Sequence, residues 1–210
     1  MAVPAITLVG LSHKTASVAV RELYAFDDEQ ARAVLEDLKA RGVQEAVLLS
    51  TCNRVEVYGV SSGETGHQEI RSKIVESLAM AKGVNSNEIV PHLYTLEGIA
   101  AIRHLFRVAA SLDSLVLGEP QILGQTKSAY RIASEAGTVG PVLGRFFERA
   151  FKVAKEVRSS TGVGTGQVSV GSIAVDLARK VFGDLAKCTV LLLGAGKMAE
   201  AVAKTLAAAG

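Results

Sequence analysis

Tryptophan is absent from the 210 residues, aromatics make up only 5% of them, and there are just two cysteines and four prolines. Two cysteines, Cys52 and Cys188, do not make the disulfide framework of a small secreted domain. They point to free thiols in a reducing, cytoplasmic compartment. No apolar run approaches the roughly twenty residues that span a bilayer. The N-terminus lacks a basic segment followed by a long apolar one, so no secretory leader is expected. The formal net charge is only +2. Any contact with nucleic acid must therefore come from a local patch and not from a global field. The histidines and cysteines form no zinc-ligand spacing, and no internal repeat or low-complexity tract is visible. What is present is a chain that is 49% hydrophobic with mean hydropathy +0.29, enough for a well-buried α/β core.

The order of elements follows from apolar periodicity and its punctuation. Residues 6–10 read as a buried strand and 17–24 as a short helix. Asp27 or Asp28 caps a helix that runs to Arg41, where Gly42 stops it. Strands follow at 46–49 and 55–58, then a polar loop over 61–66. A helix over 68–82 ends at Gly83, residues 85–88 form a loop or cap, and 92–95 is a short strand. This βαββαβ order predicts an α/β domain with a ferredoxin-like sheet. Helices are then predicted over 96–110, 120–136 and 141–158. The glycine-rich stretch 161–166 marks a boundary. Beyond it come a helix over 169–182, an apolar strand over 189–193 and an alanine-rich helix. The expected organisation is a first domain over 1–150, a linker helix and hinge over 151–168, and the start of a second domain over 169–210.

Two places carry chemistry. The run 46–49 stops at Thr51-Cys52-Asn53-Arg54, and a second strand-like run begins at once. A thiol in a short turn at a strand end, with a cation two residues on, is presented as a nucleophile. A thiolate attacks a carbonyl only where it is exposed and its charge is stabilised. The competing reading is a cysteine buried as a small hydrophobe. Cys188, just ahead of the apolar strand, is expected to pack in the core.

The second place is Gly194-Ala195-Gly196-Lys197-Met198-Ala199, between a predicted strand and a predicted helix. That is the context of a dinucleotide fingerprint, in which the glycines admit a tight turn and a pyrophosphate at the helix N-terminus. A glycine-rich turn without a ligand is the alternative. A P-loop is excluded, because no Gly-Lys-Ser/Thr follows. The remaining residues are too few for a complete dinucleotide-binding domain, so the chain is expected to be part of a longer protein. The residue that selects NAD or NADP lies outside it.

Three segments together resemble the glutamyl-tRNA reductase family: Gly10-Leu11-Ser12-His13-Lys14-Thr15-Ala16, the stretch from Ser50 to Tyr58, and the stretch from Leu112 to Gln125. The resemblance covers essentially the whole chain. It implies NADPH-dependent reduction of glutamyl-tRNA(Glu) to glutamate-1-semialdehyde, the first step of tetrapyrrole synthesis by the five-carbon route. It further implies that Cys52 forms a thioester and that the Gly194 turn belongs to the NADPH site. It implies a homodimer of the whole protein through a helical domain absent here, and a possible hand-over to glutamate-1-semialdehyde aminomutase.

By the same resemblance His104 is a catalytic residue, acting either on the Cys52 thiolate or on the departing ribose oxygen. Arg54 is the candidate for the substrate carboxylate, with an ion pair to Glu56 at the surface as the alternative. Thr51 and Asn53 either bind substrate or serve the turn. Ser114, Glu119, Pro120, Gln121 and Gln125 match the family's substrate pocket, Glu119 as partner of the α-ammonium. Asp113 reads as a helix cap, His13 as structural as readily as functional, His92 as near the site, and His67 as solvated. Arg145, Arg149 and Lys152, with Lys155 and Arg158, form either a phosphate-binding stripe or a solvated face. Two other functions remain open: an esterase acting on glutamyl-tRNA, and a non-catalytic module that binds tRNA or a protein partner.

Overall fold

The computed structural model describes residues 5–61, 66–163, 170–194 and 197–207. Four strands, β1 (Ala5–Ser12), β2 (Glu45–Ser50), β3 (Arg54–Ser61) and β4 (Tyr94–Glu97), form one antiparallel sheet in the order β2-β3-β1-β4. This is the ferredoxin-like order predicted from the sequence. Helices α1 (Val18–Leu23) and α2 (Asp28–Ala40) join β1 to β2. Helices α3 (His67–Lys82) and α4 (Ser86–Ile89) join β3 to β4. Then come α5 (Ile99–Ala109), α6 (Gln121–Glu135) and α7 (Pro141–Ser160). Helices α8 (Val170–Phe182) and α9 (Lys197–Ala207) complete the described residues.

Local chemistry explains most boundaries. Asp27 caps α2 in a capping box with Gln30, and Asn85 caps α4 with Glu88 in the same way. Pro141 opens α7, where its missing N–H is no loss. The carboxylate of Glu45, buried in β2, accepts from the free Val142 and Leu143 N–H groups at 3.0 and 2.6 Å.

Both faces of the sheet are covered, so β3 is buried along its length. On one face Gly59 lies against Ile70 and Ile74 of α3. On the other, Tyr58 meets Phe147 of α7 edge-on at 5.5 Å. Arg54, Glu56 and Tyr58 alternate onto this second face. Gly10 pairs with Glu56 across β1 and β3. A Cβ at Gly10 would stand 2.6 Å from the Val55 carbonyl and 2.8 Å from Glu56 Cγ, so only glycine leaves room for the Glu56 side chain.

Four expectations are corrected. The strand predicted at 92–95 forms at Tyr94–Glu97, because Val90–His92 makes a 3-10 turn first. The helix predicted from residue 96 consequently begins at Ile99. No strand forms over 189–193, since a lone strand leaves its backbone unpaired and no described residue supplies a partner. Val190 to Leu193 are exposed, and Cys188 is exposed as well and not in a core. The boundary glycines fall partly outside the described residues, and α7 runs unbroken across residue 150 to Ser160. No helix among the described residues is long and apolar enough to cross a membrane.

Candidate active site

Strands β2 and β3 are joined by a hairpin whose tip is Cys52-Asn53. Thr51 N–H donates to the Arg54 carbonyl at 2.8 Å. The Thr51 hydroxyl accepts from the Asn53 and Arg54 N–H groups at 3.2 and 3.1 Å. Thr51 thus serves the turn, one of the two roles left open by its sequence context. Two further contacts fix the tip. His13 N–H donates to the Asn53 carbonyl at 2.9 Å. Arg21 of α1 donates from Nε to the Cys52 carbonyl at 3.1 Å and from Nη1 to the Ala16 carbonyl at 2.7 Å. The backbone around Cys52 is held on three sides while the residue itself is exposed.

A small cleft opens at this tip. One wall is Thr51, Cys52, Asn53 and Arg54; the other is Ser114, Glu119, Gln121, Ile122 and Gln125. Residues some seventy positions apart in sequence meet because the loop after α5 folds back beside β3. Gly118 N–H donates to the Ser111 carbonyl at 3.1 Å, and the Ser111 hydroxyl to the Glu119 carbonyl at 2.7 Å. Gln121 and Gln125 share one face of α6, one turn apart. Pro120 precedes α6 without lining the cleft. Burial pushes the Glu119 carboxyl above its usual value.

Behind the cleft lies a buried polar cluster of which sequence reasoning offered only the Arg54–Glu56 pair. The Arg54 guanidinium, 1% exposed, donates from Nη1 to Glu56 Oε1 at 2.5 Å and from Nη2 to Asp113 Oδ2 at 3.2 Å and to the Asp113 carbonyl. Glu56 also accepts from Tyr94 at 2.5 Å, His104 Nε2 at 2.8 Å and Tyr58 at 2.8 Å. Lys14 takes the other oxygen of Asp113. Burial alone would raise the Glu56 carboxyl, but the His104 hydrogen bond and the Arg54 charge hold it well below the usual carboxylate range. Burial and the Glu56 charge push the Tyr58 and Tyr94 phenols up, so both stay neutral donors. Arg54 is raised despite its burial, because Glu56 and Asp113 outweigh desolvation.

Several roles look different in this geometry. The ion pair of Arg54 with Glu56 exists, buried and not at the surface. His104 faces Glu56 and makes no hydrogen bond to Cys52. Asp113 is an ion-pair partner rather than a helix cap. His67 is half-buried, its Nδ1 2.8 Å from the Thr7 hydroxyl, and is not simply solvated. His92 does not line the cleft. His13 Nδ1 is the buried side-chain atom without a hydrogen-bond partner among the described residues. Burial, then Arg54 and Lys14, lower its pKa. A sequence signal for Glu56 was available: a carboxylate between valines in a continuous strand has to be paired.

At the other end of the chain, Gly194 takes φ +108°, with no atom of the described residues within 4 Å of where a Cβ would sit. Helix α9 starts at Lys197. A left-handed Gly194 shortly before a helix N-terminus is compatible with a pyrophosphate, although no strand precedes it among the described residues. Ala195 and Gly196 lie outside the described residues, as do the side chains of Lys197 and Met198; Ala199 is in the first turn of α9. On α7, Arg145, Arg149, Lys152 and Lys155 are exposed and Arg158 is half-buried, with Glu148 and Glu156 exposed among them.

Comparison with known proteins agrees with this layout. The family model "Glutamyl-tRNAGlu reductase, N-terminal domain" matches residues 9–161. The chain belongs to the glutamyl-tRNA reductase family. A second model, "Shikimate / quinate 5-dehydrogenase", matches residues 176–210. Glutamyl-tRNA reductase of Solibacter usitatus is 52% identical over 204 residues, covering 97% of this chain and 48% of that protein. The Geobacter sulfurreducens protein of the same name is 52% identical over 200 residues, covering 95% and 45%. Among solved structures, glutamyl-tRNA reductase from Methanopyrus kandleri superposes with a TM-score of 0.67 at 36% identity, covering 98% of this chain and 47% of that one. The chain therefore spans about half the length of the relatives it matches.

Proposed function

We propose that this chain carries the thioester-forming half of a glutamyl-tRNA reductase, the enzyme that opens tetrapyrrole synthesis by the five-carbon route. The observation that carries this reading is the cleft. An exposed thiol on a braced hairpin tip faces polar side chains from α6 and the loop before it. The Cys52 thiolate attacks the carbonyl carbon of the glutamyl ester. A C–S bond forms, the C–O bond to the tRNA ribose breaks, and the ribose oxygen gains the proton the thiol gave up. The thioester that results is a better hydride acceptor than the ester, so one hard step becomes two easier ones.

Arg54 is the partner of the substrate carboxylate, pinned by Glu56 and Asp113 so that it presents one fixed position. Glu119 faces the α-ammonium, which would draw its raised carboxyl into the ionised form. Asn53, Ser114, Gln121 and Gln125 supply neutral hydrogen bonds. His104 acts through Glu56 on the placement of Arg54. The residues of the Gly194 turn would hold NADPH, which supplies the hydride for reduction to the semialdehyde. The α7 stripe is the candidate for tRNA phosphates. Homodimerisation, transfer to an aminomutase and a cytoplasmic location rest on the family resemblance and the free cysteines.

Incubation with glutamyl-tRNA(Glu), with and without NADPH, tests this reading. Release of glutamate by the unaltered chain, lost in Cys52→Ser, is the expected result without NADPH, because water then takes the thioester. Equal deacylation by Cys52→Ser would defeat the nucleophile assignment, and tRNA binding with no deacylation by either chain would favour a module that binds tRNA without covalent chemistry.

A further inference from the structure

Arg21 is a buried cation whose charge the described structure leaves uncompensated. The residue is 9% exposed. Both of its hydrogen bonds go to backbone carbonyls, those of Cys52 and Ala16. The other cations around the cleft differ: Arg54 meets Glu56 and Asp113, and Lys14 meets Asp113. Among the described residues Arg21 pairs with no carboxylate, and Glu119, the acid lining the cleft, forms no ion pair with it. Neutral carbonyls satisfy donors without cancelling a charge. A guanidinium kept this way forfeits hydration that a counter-ion would normally restore. Its field is felt nearby, since Arg21 adds to burial, Arg54 and Lys14 in lowering His13, against Asp113.

We propose that Arg21 is a positioning residue for the nucleophile. It grips the main chain of Cys52 and so keeps a positive charge within one peptide group of the thiol, where the attacking sulfur passes its negative charge to the substrate carbonyl oxygen. Preorganised charge of this kind acts on what forms during reaction and needs no rearrangement at that moment. The proposal rests on Cys52 being the nucleophile, but its test does not depend on tRNA.

The readout is alkylation of Cys52 by iodoacetate, an anion, and by iodoacetamide, its neutral counterpart. In both, the S–C bond forms, iodide leaves, and the thiol proton goes to the buffer. The ratio of the two rates senses local charge, whereas a general loosening of the fold moves both rates together. Cys52 is read in a Cys188→Ser background and Cys188 in a Cys52→Ser background. The ratio at Cys52 is expected to exceed that at Cys188 by about tenfold, the effect of one unit charge roughly 12 Å from the reacting anion at an effective dielectric of about 20. Arg21→Gln and Arg21→Met should each bring it down to the Cys188 value, while Arg21→Lys should keep most of it. An unchanged ratio in a folded Arg21→Gln or Arg21→Met chain overturns the proposal. So do equal ratios at the two cysteines of the Arg21-containing chains, whether or not either neutral variant folds. A retained ratio with no glutamyl transfer would count against the thioester reading and not against Arg21.

Discussion

Replacing Glu56 by Gln should destabilise the domain by an amount that depends on pH. The glutamate is fully buried and accepts hydrogen bonds from Arg54, Tyr94, His104 and Tyr58. Gln keeps the shape and can keep most of the hydrogen bonds, one amide hydrogen turning to the Tyr58 oxygen. The charge is lost, and Arg54 is left buried with Asp113 as its single carboxylate partner. Breaking one side of a buried ion pair costs about 3 kcal/mol or more. For a domain of this size that is a fall in Tm of roughly 6–12 °C. The pH dependence has a definite sign. The folded carboxyl lies below its ordinary value of 4.5, so its contribution is complete above that value and is lost as pH falls towards the folded pKa. The gap between wild type and Glu56→Gln should therefore be widest near neutrality and shrink by about 1 kcal/mol by pH 4. Thermal melts followed by circular dichroism at pH 7, 5 and 4 measure it. A Tm unchanged at pH 7, or a gap that does not narrow on acidification, would refute the ion-pair reasoning.

Other expectations follow from single contacts. Gly10→Ala should cost at least about 2 kcal/mol, since the new methyl would meet Val55 O at 2.6 Å, and chemical denaturation will show it as a lower midpoint at unchanged slope. Thr51→Ala should loosen the hairpin tip by about 1 kcal/mol while Thr51→Ser leaves it intact, read by hydrogen exchange at Asn53 and Arg54. Asp113→Asn should raise KM for glutamyl-tRNA more than it lowers kcat, because Asp113 ties the loop bearing Ser114 to Arg54 and Lys14. Unchanged KM in steady-state deacylation would contradict that role.

The legible parts of this chain were those coded locally. Asp27, Gly83 and Pro141 each announce a helix end by their own stereochemistry, and each marks one. The hairpin around Cys52 was legible because two strand-like runs flank five small or polar residues, Ser50 to Arg54. The pairing of that hairpin with Ser114, Glu119 and Gln125 came from family resemblance, since no spacing rule joins positions so distant. Of the cluster around Glu56 only the pair with Arg54, two residues away on β3, was open to a sequence reading; Tyr94, His104 and Asp113 come from β4, α5 and a loop, and only the fold brings them there. The 189–193 run was misread because apolar content signals a strand only where a neighbouring strand exists to pair with it.

Trapping the acyl-enzyme tests the central claim most directly. The chain is mixed with glutamyl-tRNA(Glu) carrying labelled glutamate, quenched in acid within seconds, and digested for mass spectrometry. The account predicts one glutamyl group on Cys52, released by hydroxylamine, present in Cys188→Ser and absent in Cys52→Ser. Deacylation with no adduct at Cys52, or an adduct on any other residue, would contradict it.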